Sequence, residues 1–170
     1  MLVSALNQMK TQVLQKMHQQ RSTLFTFMKA SPLVFNNKDT GMQEPVSDKY
    51  RSNYQFVKEI KSNLKLAKEN LQVKFDILTK NSLRETLAQG SKLLHLTSDV
   101  VLDERIALEG DLGEVKEFSM RKLSQLIYNL SDRIDLIGIA IPNSRHIGEV
   151  FLAKGVKHVL CFEQKDDAVI

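Results

Sequence analysis

The sequence contains no tryptophan, a single cysteine and three prolines, and each scarcity excludes a class of protein. One cysteine cannot form an intramolecular disulfide, which argues against a secreted disulfide scaffold and favours a reducing compartment. No apolar run approaches the roughly 18 to 20 residues that a membrane-spanning helix needs. Nucleotide-binding glycine loops and zinc-ligand spacings are also missing, and aromatic residues do not alternate with basic clusters. We therefore expect a soluble cytoplasmic protein with no cofactor, no metal, no small-molecule substrate and no nucleic-acid partner.

Acidic residues are missing from the first 38 positions, which contain five lysine and arginine residues before Asp39. The whole chain has a formal net charge of +4, so subtracting +5 leaves about −1 for the remainder. The basic character thus belongs to the N-terminal segment, and the rest of the chain is close to neutral. A nearly neutral domain gives no electrostatic reason to expect nucleic-acid binding.

The basic N-terminal segment also has an apolar repeat at spacings of three and four, typical of an amphipathic helix. Pro32 should end this helix near residue 30, because the residue before a proline avoids helical geometry. We expect residues 1–30 to be a partner-binding helix whose removal leaves a folded domain at 31–170. An alternative is a cleaved mitochondrial presequence, which is also basic, acid-poor and amphipathic. The apolar stripe consists of Leu2, Leu6, Met9, Val13, Met17, Leu24 and Met28.

The remainder alternates helical and strand patterns, which favours an α/β domain with a mostly parallel sheet. Turn residues around Gly110 and Gly113 predict a hairpin, and Ser82 with Glu85 has the spacing of a helix capping box. Cys161 lies in an apolar run and should be buried. The expected helices are 50–70, 79–89, 120–130 and 145–154, and the expected strands are 72–78, 92–97, 134–141 and 157–162. The central core should contain Leu94, Leu96, Ile137, Ile139, Val159 and Leu160.

In an open parallel sheet, functional groups collect beyond the carboxyl ends of the strands. The loops 97–105 and 142–147 are therefore the places to look for chemistry. His95 lies inside an apolar strand, where a core histidine is the favoured interpretation. The acidic residues in and after the first loop lack the spacing of a calcium loop and are interpreted as a solvated face. They are Asp99, Asp103, Glu104, Glu109 and Asp111.

Ordered blocks between residues 31 and 170 resemble a CHAT domain, a caspase-like and separase-related module abundant in ciliates and bacteria. They include Phe75, the run 90–98, Gly113 to Val115, and the run 143–160 that begins Asn143-Ser144. The resemblance implies a caspase-like three-layer sandwich around a mostly parallel sheet. It also implies a further helix and strand after 157–162, which this sequence does not supply.

The same resemblance locates two catalytic positions, and both are substituted. An active member would read like His-Phe-Ser-Gly-His-Gly where this chain has the run 95–100, so Asp99 stands in place of the general base. Pro142 stands in place of the cysteine before Asn143. A cysteine peptidase needs a thiolate activated by an imidazole, and proline offers neither a nucleophile nor a backbone N–H.

Other residues near these loops do not make a convincing replacement. Ser98, Ser144 and His146 lie near the mouth of the expected cleft, yet Ser144 and His146 are two positions apart at a helix start and do not face each other. We interpret Ser144 as a helix cap and His146 as an exposed side chain.

We therefore expect a pseudo-protease: a catalytically inactive scaffolding subunit that contacts protein partners in a larger assembly. One alternative is a peptidase of the same family with residual or partner-completed activity. Another is a mitochondrial complex subunit, and a cytoskeletal or ciliary assembly is a further possible location.

Overall fold

The computed structural model describes residues 11–12, 24–36, 40–45, 58–60, 62, 72–100, 102 and 104–162. A parallel sheet of five strands forms its centre, as the alternating pattern predicts. The strands are β1 (Leu24–Ala30), β4 (Gln72–Ile77), β5 (Ser91–Ser98), β8 (Ile134–Ala140) and β9 (His158–Cys161), in the spatial order β4-β1-β5-β8-β9. The helices with both ends described are α1 (Lys80–Gln89), α2 (Met120–Leu126) and α3 (Arg145–Ala153).

Two antiparallel hairpins accompany the sheet. One pairs β2 (Val34–Asn36) with β3 (Gln43–Pro45), and the other pairs β6 (Arg105–Glu109) with β7 (Val115–Ser119). The predicted turn between β6 and β7 is confirmed: Gly110 and Gly113 close it, and Gly113 has a φ of 78° that favours glycine.

The strand order is that of a doubly wound sheet. From β1 the chain goes outward to β4, then returns across β1 to β5 and continues to β8 and β9. The connection from β1 to β4 runs across the sheet in the opposite direction to the later ones. Helical residues Lys58–Ile60 and Ser62 belong to that connection. The order reverses between β1 and β5, which makes their carboxyl ends the topological switch point.

The core lies between the sheet and the three helices. Alternate side chains of the central strands point to one face and are covered by apolar residues of α1, α2 and α3. This confirms the burial predicted for four of the six expected core residues. The fully buried members include Met28, Leu94, Leu96, Ile137, Ile139, Leu83, Leu123 and Phe151.

The predicted N-terminal helix is wrong over its last seven residues. Leu24 and Met28 lie in β1, which is hydrogen-bonded between β4 and β5, so the domain begins no later than residue 24. Residues four apart share a face of a helix and also a face of a strand. The spacing of Leu24 and Met28 therefore fits both structures, and the helix prediction chose the wrong one. Thr11 and Gln12 are helical, but the remaining stripe residues lie outside the described residues. These are Leu2, Leu6, Met9, Val13 and Met17.

Among the residues that the structure describes, β9 has a neighbouring strand on one side only, and this position at the edge corrects two expectations. Cys161 is exposed rather than buried, and Leu160 is exposed rather than part of the central core. An apolar run at an edge has only one neighbouring strand, so its composition does not guarantee burial.

Helix α1 begins with a capping box one turn earlier than predicted. The Ser82 N–H donates to Thr79 Oγ1 at 3.1 Å, and the Thr79 N–H donates to Ser82 Oγ at 3.1 Å. The pair is thus Thr79 and Ser82, not Ser82 and Glu85. Gly90 ends the helix as predicted, with a φ of 81° and its N–H donating to Thr86 O.

Candidate functional site

The two predicted loops leave neighbouring strands of the sheet. Thr97 of β5 is in register with Ala140 of β8, and its hydroxyl donates to the Ala140 carbonyl at 3.1 Å. Asp99 and Pro142 each follow two residues later. The positions that the resemblance assigns to a catalytic pair therefore follow the carboxyl ends of adjacent strands, where an α/β sheet presents its chemistry.

Asp99 forms a polar bridge between the ends of β1 and β5. Its Oδ1 lies 2.9 Å from Lys29 Nζ, and its Oδ2 accepts a 2.7 Å hydrogen bond from Ser31 Oγ. Its backbone N–H donates to the Ala30 carbonyl at 3.0 Å, which extends the β1–β5 ladder. The carboxylate is thus held by a cation and a hydroxyl at the topological switch point.

Glu109 links the β6–β7 hairpin to the same place. Its Oε2 accepts from the Ser31 N–H at 3.2 Å, and its backbone N–H donates to the Leu78 carbonyl at 2.9 Å. Lys29, Ser31, Asp99 and Glu109 together form what we call the switch-point cluster. Its hydrogen bonds and ion pair join β1, β5 and β6.

The sequence-based helix prediction does not identify Lys29 and Ser31 as site residues, because it places them at the end of a helix and in the loop after it. A usable signal was present, since the polar residues directly follow an apolar run in which Phe25 and Phe27 alternate with Thr26 and Met28. Aromatic and β-branched residues at that spacing favour a strand, and the end of a parallel strand is a place to expect functional groups.

The acidic residues predicted as a solvated face divide into two groups. Glu104 and Asp111 are exposed, whereas Asp99 and Glu109 belong to the switch-point cluster. Asp103 lies outside the described residues. Within the part of the chain that the structure describes, no three histidine, cysteine or acidic side chains come close enough to hold a metal ion.

His95 belongs to a row of rings that crosses the sheet. Its imidazole lies 5.7 Å from the Phe27 ring, and Phe27 stacks on Phe75 at 5.4 Å. On its other side is Gly138, where an added Cβ would come within 3.1 Å of His95 Nδ1. Half-burial among these groups lowers the pKa of His95 below its ordinary value, because desolvation disfavours the imidazolium.

The lowered pKa of His95 predicts a loss of stability in acid. The unfolded chain binds this proton near pH 6.5 and the folded chain only at lower pH, so the free energy of unfolding should fall as pH drops below about 6.5. Urea unfolding at pH 7.5 and pH 5.5 measures the fall. His95→Phe should show a smaller difference between the two pH values, and His158→Phe, at an exposed position, serves as the control. An unchanged pH dependence in His95→Phe would contradict the assignment.

Ser144 is fully buried and tied to two strand ends. Its hydroxyl donates to the Ile139 carbonyl at 3.2 Å and accepts from the Phe162 N–H at 3.3 Å. It precedes α3 but makes no side-chain cap, so the capping prediction is wrong. A buried hydroxyl with both roles occupied is not arranged as a nucleophile.

The other predicted cleft residues are also accounted for locally. Ser98 Oγ donates to the Val100 carbonyl and accepts from the Val100 N–H, which closes a small turn after β5. Asn143 is exposed, with a φ of 54° that asparagine tolerates. His146 is half-buried rather than exposed, and its Nε2 has no hydrogen-bond partner among the described residues.

Among the described residues, no helix is both long enough and apolar enough to span a bilayer. Protein-family models, curated proteins and solved structures give no match to this chain.

Proposed function

We propose that this chain is a catalytically inactive α/β domain of caspase-like type that acts as a structural, protein-interacting subunit of a larger assembly. The observation that carries the proposal is the bonding of Asp99. At the strand end where a peptidase of this type would place its general base, the side chain is a carboxylate ion-paired with Lys29 and hydrogen-bonded to Ser31. The neighbouring strand end presents Pro142 where the nucleophile would lie.

The only cysteine supports the same conclusion. Cys161 Sγ lies against α3, where an added Cβ at Gly148 would come within 2.4 Å of it. Cysteine catalysis needs a thiolate within hydrogen-bond reach of an imidazole. His95 instead lies in β5 against the Phe27 ring, and β8 separates β5 from β9 in the sheet.

The test of inactivity is turnover of peptide libraries together with labelling by peptidyl probes that react only with an activated thiolate. We expect neither, because Asp99 and Pro142 occupy the two strand ends where the base and the nucleophile would lie. Cys161 is exposed, so general alkylating reagents will label it, and Cys161→Ser defines that background. Peptide cleavage that disappears in Cys161→Ser or Asp99→Asn would overturn the proposal in favour of a peptidase.

The scaffolding part is tested by the size of the native protein in cell extract. We expect it to migrate in a complex larger than two copies of the chain. Migration as an isolated chain, at every extract concentration, would contradict a structural role in an assembly.

The structure also constrains the mitochondrial alternative. A cleaved leader of 30 residues would remove β1, which lies between β4 and β5 in the sheet. Any cleaved leader must therefore end before Leu24. N-terminal sequencing of the native protein tests this: a mature chain that begins after Leu24 would be incompatible with the sheet described above.

A further inference from the structure

The outward surfaces of α1 and α2 carry an excess of positive charge. Four basic side chains are exposed there, and none of them forms an ion pair within the part of the chain that the structure describes. Lys74 and Arg145, by contrast, each lie beside a carboxylate. We call the four residues the basic helix face. They are Lys80 and Arg84 of α1 with Arg121 and Lys122 of α2.

The fold brings these two pairs to one side of the molecule. Leu83 of α1 and Leu123 of α2 are buried in the same core cluster, so both helices cover the same face of the sheet. Helix α1 leads into β5 and α2 precedes β8, and β5 is hydrogen-bonded to β8. Helices that lead into neighbouring parallel strands lie side by side, at the separation of about 8 to 10 Å that packed helices adopt. The basic helix face is therefore one surface.

The total charge of the domain hides this separation of charge. Helices α1 and α2 contain four basic residues and one acid, Glu85, which gives them a net charge of +3. Positions 39–170 together have a net charge of about −1, so removing the two helices leaves about −4 for the rest. A nearly neutral total is thus compatible with a strongly basic surface on one side of the domain.

The four cations do not stabilise the helices that carry them. Lys80 and Arg84 are four positions apart on α1, where like charges repel each other and destabilise a helix. Arg121 and Lys122 are consecutive, and α2 contains no carboxylate that could offset them. An anionic partner would relieve both repulsions, because its charge is opposite to that of every member of the surface.

We infer that the basic helix face binds an acidic segment of a partner protein, rich in aspartate and glutamate. The inference rests on the proposed function, and it names the chemistry of the partner. Arginine binds a carboxylate through two parallel hydrogen bonds, which favours protein carboxylates as its ligands. Asn81 and Gln125 are exposed on the same two helices, and their amides can both donate to and accept from a peptide backbone.

Other polyanions fit this surface less well. Neither α1 nor α2 contains an aromatic residue on which the bases of a single-stranded nucleic acid could stack. Neither helix has a large exposed apolar side chain that could enter a membrane surface. The surface is polar and cationic throughout, which matches an acidic polypeptide.

Fluorescence anisotropy with a labelled oligoglutamate peptide tests the inference on the full chain. The wild-type chain should bind the peptide, and added salt should weaken binding because the cations are exposed. Lys80→Glu with Arg84→Glu should raise the dissociation constant about tenfold or more, and so should Arg121→Glu with Lys122→Glu.

The matched control is Lys92→Glu with Lys157→Glu. It makes the same change in net charge at two exposed lysines that lie outside the helices, one in β5 and one directly before β9. The dissociation constant should stay within about twofold of the wild-type value, because salt screens charges that are far from the bound peptide. Circular dichroism identifies any variant that fails to fold, and each helix pair is tested independently of the other.

A wild-type chain that does not bind oligoglutamate would overturn the inference. Equal effects of the helix variants and the control would overturn it as well, because the peptide would then bind wherever the chain is basic. Duplex DNA or phosphatidylserine vesicles that bind more tightly than oligoglutamate, and are released by the same helix variants, would overturn it in favour of another polyanion.

The proposed function fails through a different result. A native chain that migrates alone in cell extract contradicts the assembly, whereas the anisotropy measurement uses only the purified chain. If both helix pairs are reversed and the chain still migrates in the native complex, the inference is overturned and the proposed function stands.

Discussion

A single aspartate at position 28 should unfold the domain. Met28 lies in β1, is fully buried, and packs in the core formed with α1 and the neighbouring strands. Burying an unpaired carboxylate there costs several kcal/mol, and a domain of this size has a total stability of only about 5 to 15 kcal/mol. We expect Met28→Asp to lose the cooperative urea transition that the wild-type chain shows by far-ultraviolet circular dichroism.

Met42→Asp is the matched control for this change. It introduces the same carboxylate at a methionine that is 69% exposed, so the unfolding transition should move by less than about 0.5 kcal/mol. A folded Met28→Asp with wild-type stability would show that β1 is not in the centre of the sheet. Removal of residues 1–29 should likewise abolish folding, whereas the helical interpretation expected the remainder to fold alone.

Most of the later chain could be predicted from its residues. Strands β5 and β8 are apolar runs bounded by turn residues, and each has a helix signal in the connection that follows it. Gly90 and Ser119 mark helix ends through local chemistry, one by a positive φ and the other by a side chain that accepts from the Lys122 N–H. Such signals are short-range, which is why they can be read without knowing the fold.

The first strand could not be assigned by periodicity alone. The spacing between Leu24 and Met28 fits both a helix and a strand, and no glycine or proline separates this segment from the one before it. Its position in the sheet depends on pairing with β4 and β5, which are distant in sequence. The same error hides the partners of Asp99, because Lys29 reaches the site only when β1 is a strand.

The exposure of β9 has a different origin. Its composition resembles that of a buried parallel strand, and composition does not reveal whether a second neighbour is present. Only the order of the described strands shows β9 at an edge. The sequence therefore predicts that β9 is a strand but does not predict whether its side chains are buried.

Asp99→Asn should destabilise the domain by about 3 kcal/mol, because it leaves the Lys29 ammonium at a largely buried site without its carboxylate. The two side chains are only 16% and 11% exposed, so little water is present to replace the lost interaction. Asp76→Asn removes one carboxylate of a more exposed ion pair, with Lys74, and should cost less than about 1 kcal/mol. Urea denaturation of both variants gives the comparison.

Lys29→Met forms a double-mutant cycle with Asp99→Asn. It removes the ammonium group and keeps most of the apolar part of the side chain. In the Asp99→Asn background it should recover a large part of the lost stability, because the ammonium that has lost its carboxylate is removed as well. Equal costs for Asp99→Asn and Asp76→Asn, or a double variant no more stable than Asp99→Asn alone, would contradict this account. A confirmed coupling would mean that the carboxylate at the base position holds β1 to β5, so that a histidine placed there would have to replace a structural ion pair before it could act as a base.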